Sequence, residues 1–299
     1  MPSIETIISN ISEWQGKEIQ SQLLTGGLTN TNYKVTVDGI PYFVRIPGAS
    51  TELLAVNRDN EVYNSRVAAL TGVGPQVLHH LPEYQVMVLE FLPGRTLSKE
   101  LLNATGMPQQ IALSLKRLHG GSRFLTDFNM FRLSEYYLQI CSQHNIPIPD
   151  GYTKMIPEVA RIEQALAVHP VPTLPCNNDL LAENYIDDGT SLRIIDYEYS
   201  GNNDPYFELG NTCQELEFKD DQIKELCQAY FGDAKPGRIS RMMLYMIMSD
   251  VGWTLWAAIQ AKISRIEFDF WGWAIDRWER AEKKMDSSLF GAWLLDVQS

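Results

Sequence analysis

One stretch constrains this chain more than any other. Asn178-Asp179-Leu180-Leu181-Ala182-Glu183-Asn184 is followed by an apolar strand, Leu192 to Ile195, which runs straight into Asp196-Tyr197-Glu198-Tyr199-Ser200-Gly201. A short apolar run bounded by polar residues reads as a buried strand. Asp179 and Asn184 therefore fall on the turn before it, and Asp196 on the turn after it. Alone, an Asp-x4-Asn is most often a polar turn and nothing more. Here three groups come in order, with the strand just ahead of the last.

That set is what phosphoryl transfer requires: a carboxylate to accept a hydroxyl proton, then an amide and a second carboxylate to hold magnesium on a nucleotide. Asp179 and Asn184 lie five residues apart, the spacing of the catalytic-loop Asp and Asn in protein kinases. The reading predicts Asp179, Asn184 and Asp196 as the reacting core, with ATP and Mg2+ as cofactors.

Composition narrows the alternatives. A net charge of −12 disfavours nucleic acid as a partner, because its binding depends on a basic face. The same charge suits a cationic small molecule, although solubility alone also explains it. The four cysteines, Cys141, Cys176, Cys213 and Cys227, show no CxxC spacing, which argues against a zinc site or a disulfide framework. The N-terminal residues lack a basic segment followed by an apolar core, so no signal peptide is expected. Nor is membrane insertion, for want of an uninterrupted apolar run of about 20 residues. The expected compartment is the cytoplasm, and a homodimer is left open.

Along the 299 residues the pattern changes once. Residues 3 to 15 have the period of a short amphipathic helix. Strand-like segments follow from Gln20 to Ile46, turning at Asp38-Gly39, a hairpin signature. Residues 57 to 71 are helical in period, and strands are expected at Gln76 to His80 and Gln85 to Phe91. Pro93-Gly94 break the chain. From Leu97 helical periods dominate, interrupted by a loop-strand-loop at 173 to 201. The predicted fold is α+β and two-lobed: residues 1–93 a small antiparallel-sheet lobe with one main helix, residues 94–299 a large, mainly helical lobe.

Other segments gain weight from their position relative to that core. Gly26, Gly27, Thr29, Asn30 and Asn32 lie between two strands, where glycines let backbone N–H groups approach phosphate and Thr and Asn add donors. Arg45 sits on the third strand and Glu61 on the following helix, the places of the kinase phosphate-side ion pair. Arginine suits the role because it grips two phosphate oxygens at once. Glu90 to Leu92 form the expected hinge, whose backbone can pair with an adenine edge. Trp253 and Trp256 are three apart on one helix face. Such a stripe is usually core, but aromatic faces also attract quaternary ammonium groups.

The chain resembles the choline/ethanolamine kinase family, within the wider group related to aminoglycoside phosphotransferases. The resemblance runs almost end to end, through GGLTNTNYKV, FVRIPG, NRDNEVYNSRVAALTGVGPQVL, LEFLPGRTLS, CNNDLLAENYI, LRIIDYEYSGNNDPYFELGN and WAAIQAKISRIEFDF. It implies a protein-kinase-like fold and transfer of phosphoryl from ATP to the hydroxyl of a small cationic amino-alcohol, choline foremost. Ethanolamine, thiamine or an aminoglycoside are the alternative acceptors, and a scaffold with lost catalysis the remaining one. By resemblance, Asp179 is the base, and Asn184 and Asp196 bind magnesium with help from Glu198. Tyr199, Trp253, Trp256 and Trp273 line the acceptor pocket, beside Asp179 and either Glu267 or Asp269. Two departures stand out: Asn177 where the family has His, and Glu208 where it has Asp.

Overall fold

Alternating side chains and one tight turn build the small lobe. Strands β1 (Ile19–Leu24), β2 (Thr31–Val37), β3 (Ile40–Ile46), β4 (Val77–Leu81) and β5 (Val86–Glu90) form an antiparallel sheet in the order β1-β2-β3-β5-β4. The computed structural model describes residues 2–25, 27–48 and 51–299. At the β2–β3 turn Asp38 and Gly39 have φ of 47° and 83°, the pair of positive values that a two-residue hairpin needs.

The N-terminal segment departs from the expected single helix. Helix α1 (Ile4–Ser9) stops at Asn10, whose amide donates to the Thr6 carbonyl at 2.8 Å. A 3-10 turn, Ser12–Trp14, then swings Trp14 beneath the sheet, 5.0 Å from Tyr42 between ring centroids. Ile4, Ile7, Ile11 and Trp14 cover one sheet face, burying Val35, Val44 and Val88.

Helix α2 (Arg58–Leu70), capped by the Asn57 side chain on the Asn60 N–H, lies over the other face. Its buried side includes Arg58, Asn60, Glu61 and Asn64 as well as Val62, Val67 and Ala68. A helix that buries charges must give each a partner, and the large lobe supplies several of them. Val67, Ala68 and Val73 pack into a large-lobe core, and Leu54 into another.

The large lobe begins with β6 (Arg95–Thr96), α3 (Lys99–Leu102), α4 (Met107–His119), α5 (Met130–Gln143) and α6 (Ile156–Val168). Four short strands follow in place of the one expected: β7 (Leu174–Cys176), β8 (Tyr185–Asp187), β9 (Leu192–Ile194) and β10 (Gly201–Asn203). They pair as β6-β8-β9 and β10-β7. At three residues each they are too short to show a period in sequence. Their effect is to anchor residues 177–184 between β7 and β8, and Asp196 just past β9.

Helices α7 (Pro205–Glu215), α8 (Asp220–Phe231), α9 (Pro236–Ile263), α10 (Phe270–Met285) and α11 (Phe290–Asp296) complete the lobe. Helix α9 is long and apolar enough to cross a membrane, yet its most apolar window is 94% buried inside the protein. Apolar on all sides, it is the central core helix. At Gly210 helix α7 meets α9 so closely that a Cβ there would stand 2.8 Å from the Met242 carbonyl oxygen.

Candidate active site

The loop after β7 holds its shape through side-chain amides. Asn177, fully buried, accepts the Asp179 N–H on Oδ1 at 3.1 Å. Its Nδ2 donates to the carbonyls of Ile195 (3.2 Å) and Asp196 (2.7 Å). One amide thus ties the Asp179 loop to the Asp196 turn, with both ends used. Asn178 and Asp196 have φ of 71° and 62°, left-handed conformations that short polar side chains tolerate best. Asn184 Nδ2 donates to the Asp179 carbonyl at 2.7 Å, which fixes the orientation of its oxygen.

Below the loop, Glu208 Oε1 accepts the N–H groups of Asn177 (2.7 Å) and Asn178 (3.3 Å). Its Oε2 lies 2.6 Å from His119 Nε2, and His119 Nδ1 lies 2.6 Å from the Tyr230 hydroxyl. A carboxylate only accepts, so Nε2 carries the proton. The extra methylene of glutamate therefore serves to bridge the loop and a histidine from α4.

On the small-lobe side five charges converge. Arg45 bonds Glu61 at 2.6 Å, Glu198 at 2.7 Å and Asp196 at 3.0 Å. Arg58 joins them, 2.6 Å from Glu61 and 3.2 Å from Glu198, with its second nitrogen donating to Asn30 Oδ1 at 3.0 Å. The expected pair Arg45–Glu61 is thus present inside a larger network. Arg58 escaped sequence reasoning; its one signal is the i,i+3 spacing to Glu61 at a helix start.

Three expected residues make contacts that the sequence did not reveal. Glu198, taken as a helper for magnesium, is spent on Arg45, Arg58 and the Asn30 amide, at 3.0 Å from the last. Burial pushes Glu198 up, but the two guanidiniums and hydrogen bonds from Asn30 and Thr29 outweigh it and hold the carboxyl below its usual range. Asn30 and Thr29, taken as phosphate donors, are accordingly drawn into the ion network. Gly26 lies outside the described residues. Gly27 keeps its expected place in a tight loop, where a Cβ would meet the Asn30 carbonyl oxygen at 2.8 Å. Asn32 pairs with Arg45 across β2 and β3. Glu90 ends β5 with its N–H on the Gln76 carbonyl, and Leu92 is buried beyond it.

Asp196 keeps 34% of its side chain open. Burial lifts it to about 6, with Arg45 pulling it down and Glu198 and Glu61 pushing it up. Burial, then the charges of Asp196, Glu215 and Glu198, raise Asp179 well above the ordinary carboxylate range. A carboxylate so raised is a better proton acceptor for a hydroxyl.

The aromatic residues form one connected chain. Tyr199 and Trp253 meet edge to face at 4.9 Å, Trp253 and Trp256 at 6.5 Å, and Trp256 and Trp273 at 5.9 Å. Trp256 Nε1 donates to the Tyr199 hydroxyl at 2.6 Å, and that hydroxyl donates to the Leu54 carbonyl at 3.2 Å. Trp253 and Trp256 are 3% and 5% exposed; Trp273 is the more open ring. Gln260, one turn past Trp256, donates to the Leu28 carbonyl at 2.9 Å, so the glycine-bearing loop rests on α9. Asp269 caps α10 through the Gly272 N–H, whereas Glu215 and Arg277, not anticipated, pair beside Trp273.

A small antiparallel sheet with one buried ion-paired helix, set on a helical lobe with two acidic turns, defines a kinase-like phosphotransferase. Residues 21–229 match the choline/ethanolamine kinase family. The chain is 28% identical to ethanolamine kinase 1 of Mus musculus, over 89% of this chain and 84% of that protein. It superposes on a choline/ethanolamine kinase family protein from Mesorhizobium loti with a TM-score of 0.86 and 36% identity, covering 97% of this chain and 96% of the other. For choline kinase LicA from Streptococcus pneumoniae the TM-score is 0.80 and the identity 26%, covering 94% and 98%. The chain belongs to the choline/ethanolamine kinase family, whose members transfer phosphoryl to an alcohol hydroxyl.

Proposed function

We propose that this protein transfers the γ-phosphoryl group of ATP to the hydroxyl of choline. The observation that carries the reading is the Asn177 tie, which holds the Asp179 loop and the Asp196 turn in one frame beside the Tyr199–Trp253–Trp256–Trp273 chain. Asp179 orients the acceptor hydroxyl and takes its proton. Residues 1–93 serve as the nucleotide lobe, with Arg45 on the phosphates and the backbone of Glu90 to Leu92 on the adenine. Residues 94–299 carry catalysis and the acceptor.

The donor set suits a hard divalent cation: a carboxylate at Asp196 and an amide oxygen at Asn184, whose nitrogen is occupied elsewhere. Asp196 Oδ1 lies 3.0 Å from Arg45, and 34% of the Asp196 side chain stays open to a cation. Magnesium bound there supplies charge neutralisation on the phosphates. Glu198, expected to help, lies beside this donor set and pairs with Arg45 and Arg58.

The trimethylammonium group of choline bonds no water or protein acceptor through N–H, and aromatic rings attract it by about 2 kcal/mol or more when desolvated. Ethanolamine is the second reading, favoured by the likeness to mouse ethanolamine kinase 1. Product detection by phosphorus NMR, with choline, ethanolamine, thiamine and kanamycin supplied separately with Mg-ATP, tests the reading. Phosphocholine formed fastest supports it; turnover of another acceptor alone refutes the choline assignment, and ATP binding without any product favours a scaffold.

A further inference from the structure

Arg277 is 1% exposed, yet nothing in the proposed chemistry uses it. Its guanidinium carbon lies 4.0 Å from the centroid of the Trp273 ring. Its two terminal nitrogens grip the two oxygens of Glu215 at 2.6 and 2.7 Å. Asp250 Oδ1 lies 3.6 Å from the same guanidinium and takes Arg280 at 2.6 Å. A cation of the protein itself therefore covers one ring face and engages both oxygens of a carboxylate next to the proposed acceptor site.

The two kinds of amine differ in what they ask of such a site. A primary ammonium has three N–H donors and loses heavily if desolvated without acceptors. A trimethylammonium has none, and asks only for ring surface and negative potential.

Building on the choline reading above, we propose that Arg277 is the specificity-determining residue of the acceptor pocket. By holding both oxygens of Glu215 it withholds the acceptor that an N–H-bearing ammonium needs, and so biases the enzyme toward N-methylated amino-alcohols. Arg277 acts through Glu215 and is a positioning residue, not a catalytic one.

The test is kcat/KM for ethanolamine, its mono- and dimethyl derivatives, and choline, measured on the full chain with Mg-ATP. Comparing acceptors within one variant cancels any general loss of activity. In Arg277→Met, which keeps an unbranched apolar stem beside Trp273, the ethanolamine-to-choline ratio is expected to rise at least about tenfold, the worth of one hydrogen bond to a charged group. Adding Glu215→Gln to that variant removes the freed carboxylate and returns the ratio toward wild type. Should the methionine variant fail to fold, Arg277→Lys keeps the charge with a single donor nitrogen, and a smaller rise in the same direction is expected. A ratio unmoved in the soluble single variants, or moved toward choline, overturns the inference while leaving the kinase assignment intact. Wild-type protein that phosphorylates none of the four amines overturns both.

Discussion

Arg58 offers the sharpest energetic test, because its partners are buried and counted. Its side chain is 8% exposed and contacts Glu61 at 2.6 Å, Glu198 at 3.2 Å and Asn30 at 3.0 Å. Arg58→Met keeps an unbranched apolar stem and removes the charge, so Glu198 and Glu61 must share Arg45. Taking one partner from a buried ion cluster costs about 3–5 kcal/mol, well above the ~1 kcal/mol of a surface pair. In a protein of this size that corresponds to a melting temperature lower by about 5–15 °C. The sign with pH follows from Glu198, whose carboxyl is held below its usual range in the folded protein. Its contribution is present above the unfolded pKa and is lost as pH falls through the folded one. Removing Arg58 raises the folded pKa and shrinks that contribution, so the gap between wild type and variant closes as acid protonates Glu198. Thermal unfolding at pH 7 and well below pH 4.5, past the folded pKa of Glu198, measures both. A drop under about 2 °C at pH 7, or a gap unchanged with pH, refutes the view that these charges are dry and mutually dependent.

Asn177→Ala removes the tie between the Asp179 N–H and the carbonyls of Ile195 and Asp196; kcat is expected to fall about 10–100-fold, with KM for ATP changing less, and steady-state kinetics decide. Gly210→Ala forces a Cβ to 2.8 Å from the Met242 carbonyl, so urea denaturation should show a loss of about 1–3 kcal/mol. Burial lifts Asp250 to about 6 against the pull of Arg280 and Arg277. A carboxyl raised on folding gives stability that is present below its unfolded pKa and lost as pH rises through about 6. Asp250→Asn should therefore flatten the pH dependence of stability between pH 4 and 6 by about 3 kcal/mol, and unfolding curves that keep the wild-type slope contradict this.

Much of the fold was legible because the informative signals are local. Asp38-Gly39 signals a tight hairpin, and the helical period of residues 57 to 71 marks α2. The Asp179, Asn184 and Asp196 turns were equally readable, since one short strand orders them. What stayed hidden depends on pairing across long separations. Nothing near Glu198 in sequence reveals that Arg45 and Arg58 pair with its carboxylate. The three-residue strands around the site carry too little pattern to be seen one at a time. Asn177 was visible as a departure, but its double tie became evident only with the Asp196 turn beside it. Nothing near Arg277 in sequence signals its stacking on Trp273.

The central claim is that Asp179, held by Asn177 and lifted by its surroundings, takes the acceptor proton in a Mg-ATP-dependent transfer. The direct measurement is single-turnover phosphoryl transfer from γ-labelled ATP to choline by wild type and by Asp179→Asn, with nucleotide affinity measured in parallel. The account predicts that the variant binds ATP as wild type does and transfers at least about 100-fold more slowly. Transfer at the wild-type rate with affinity unchanged would show that the proton leaves by another route and would contradict the assignment of Asp179.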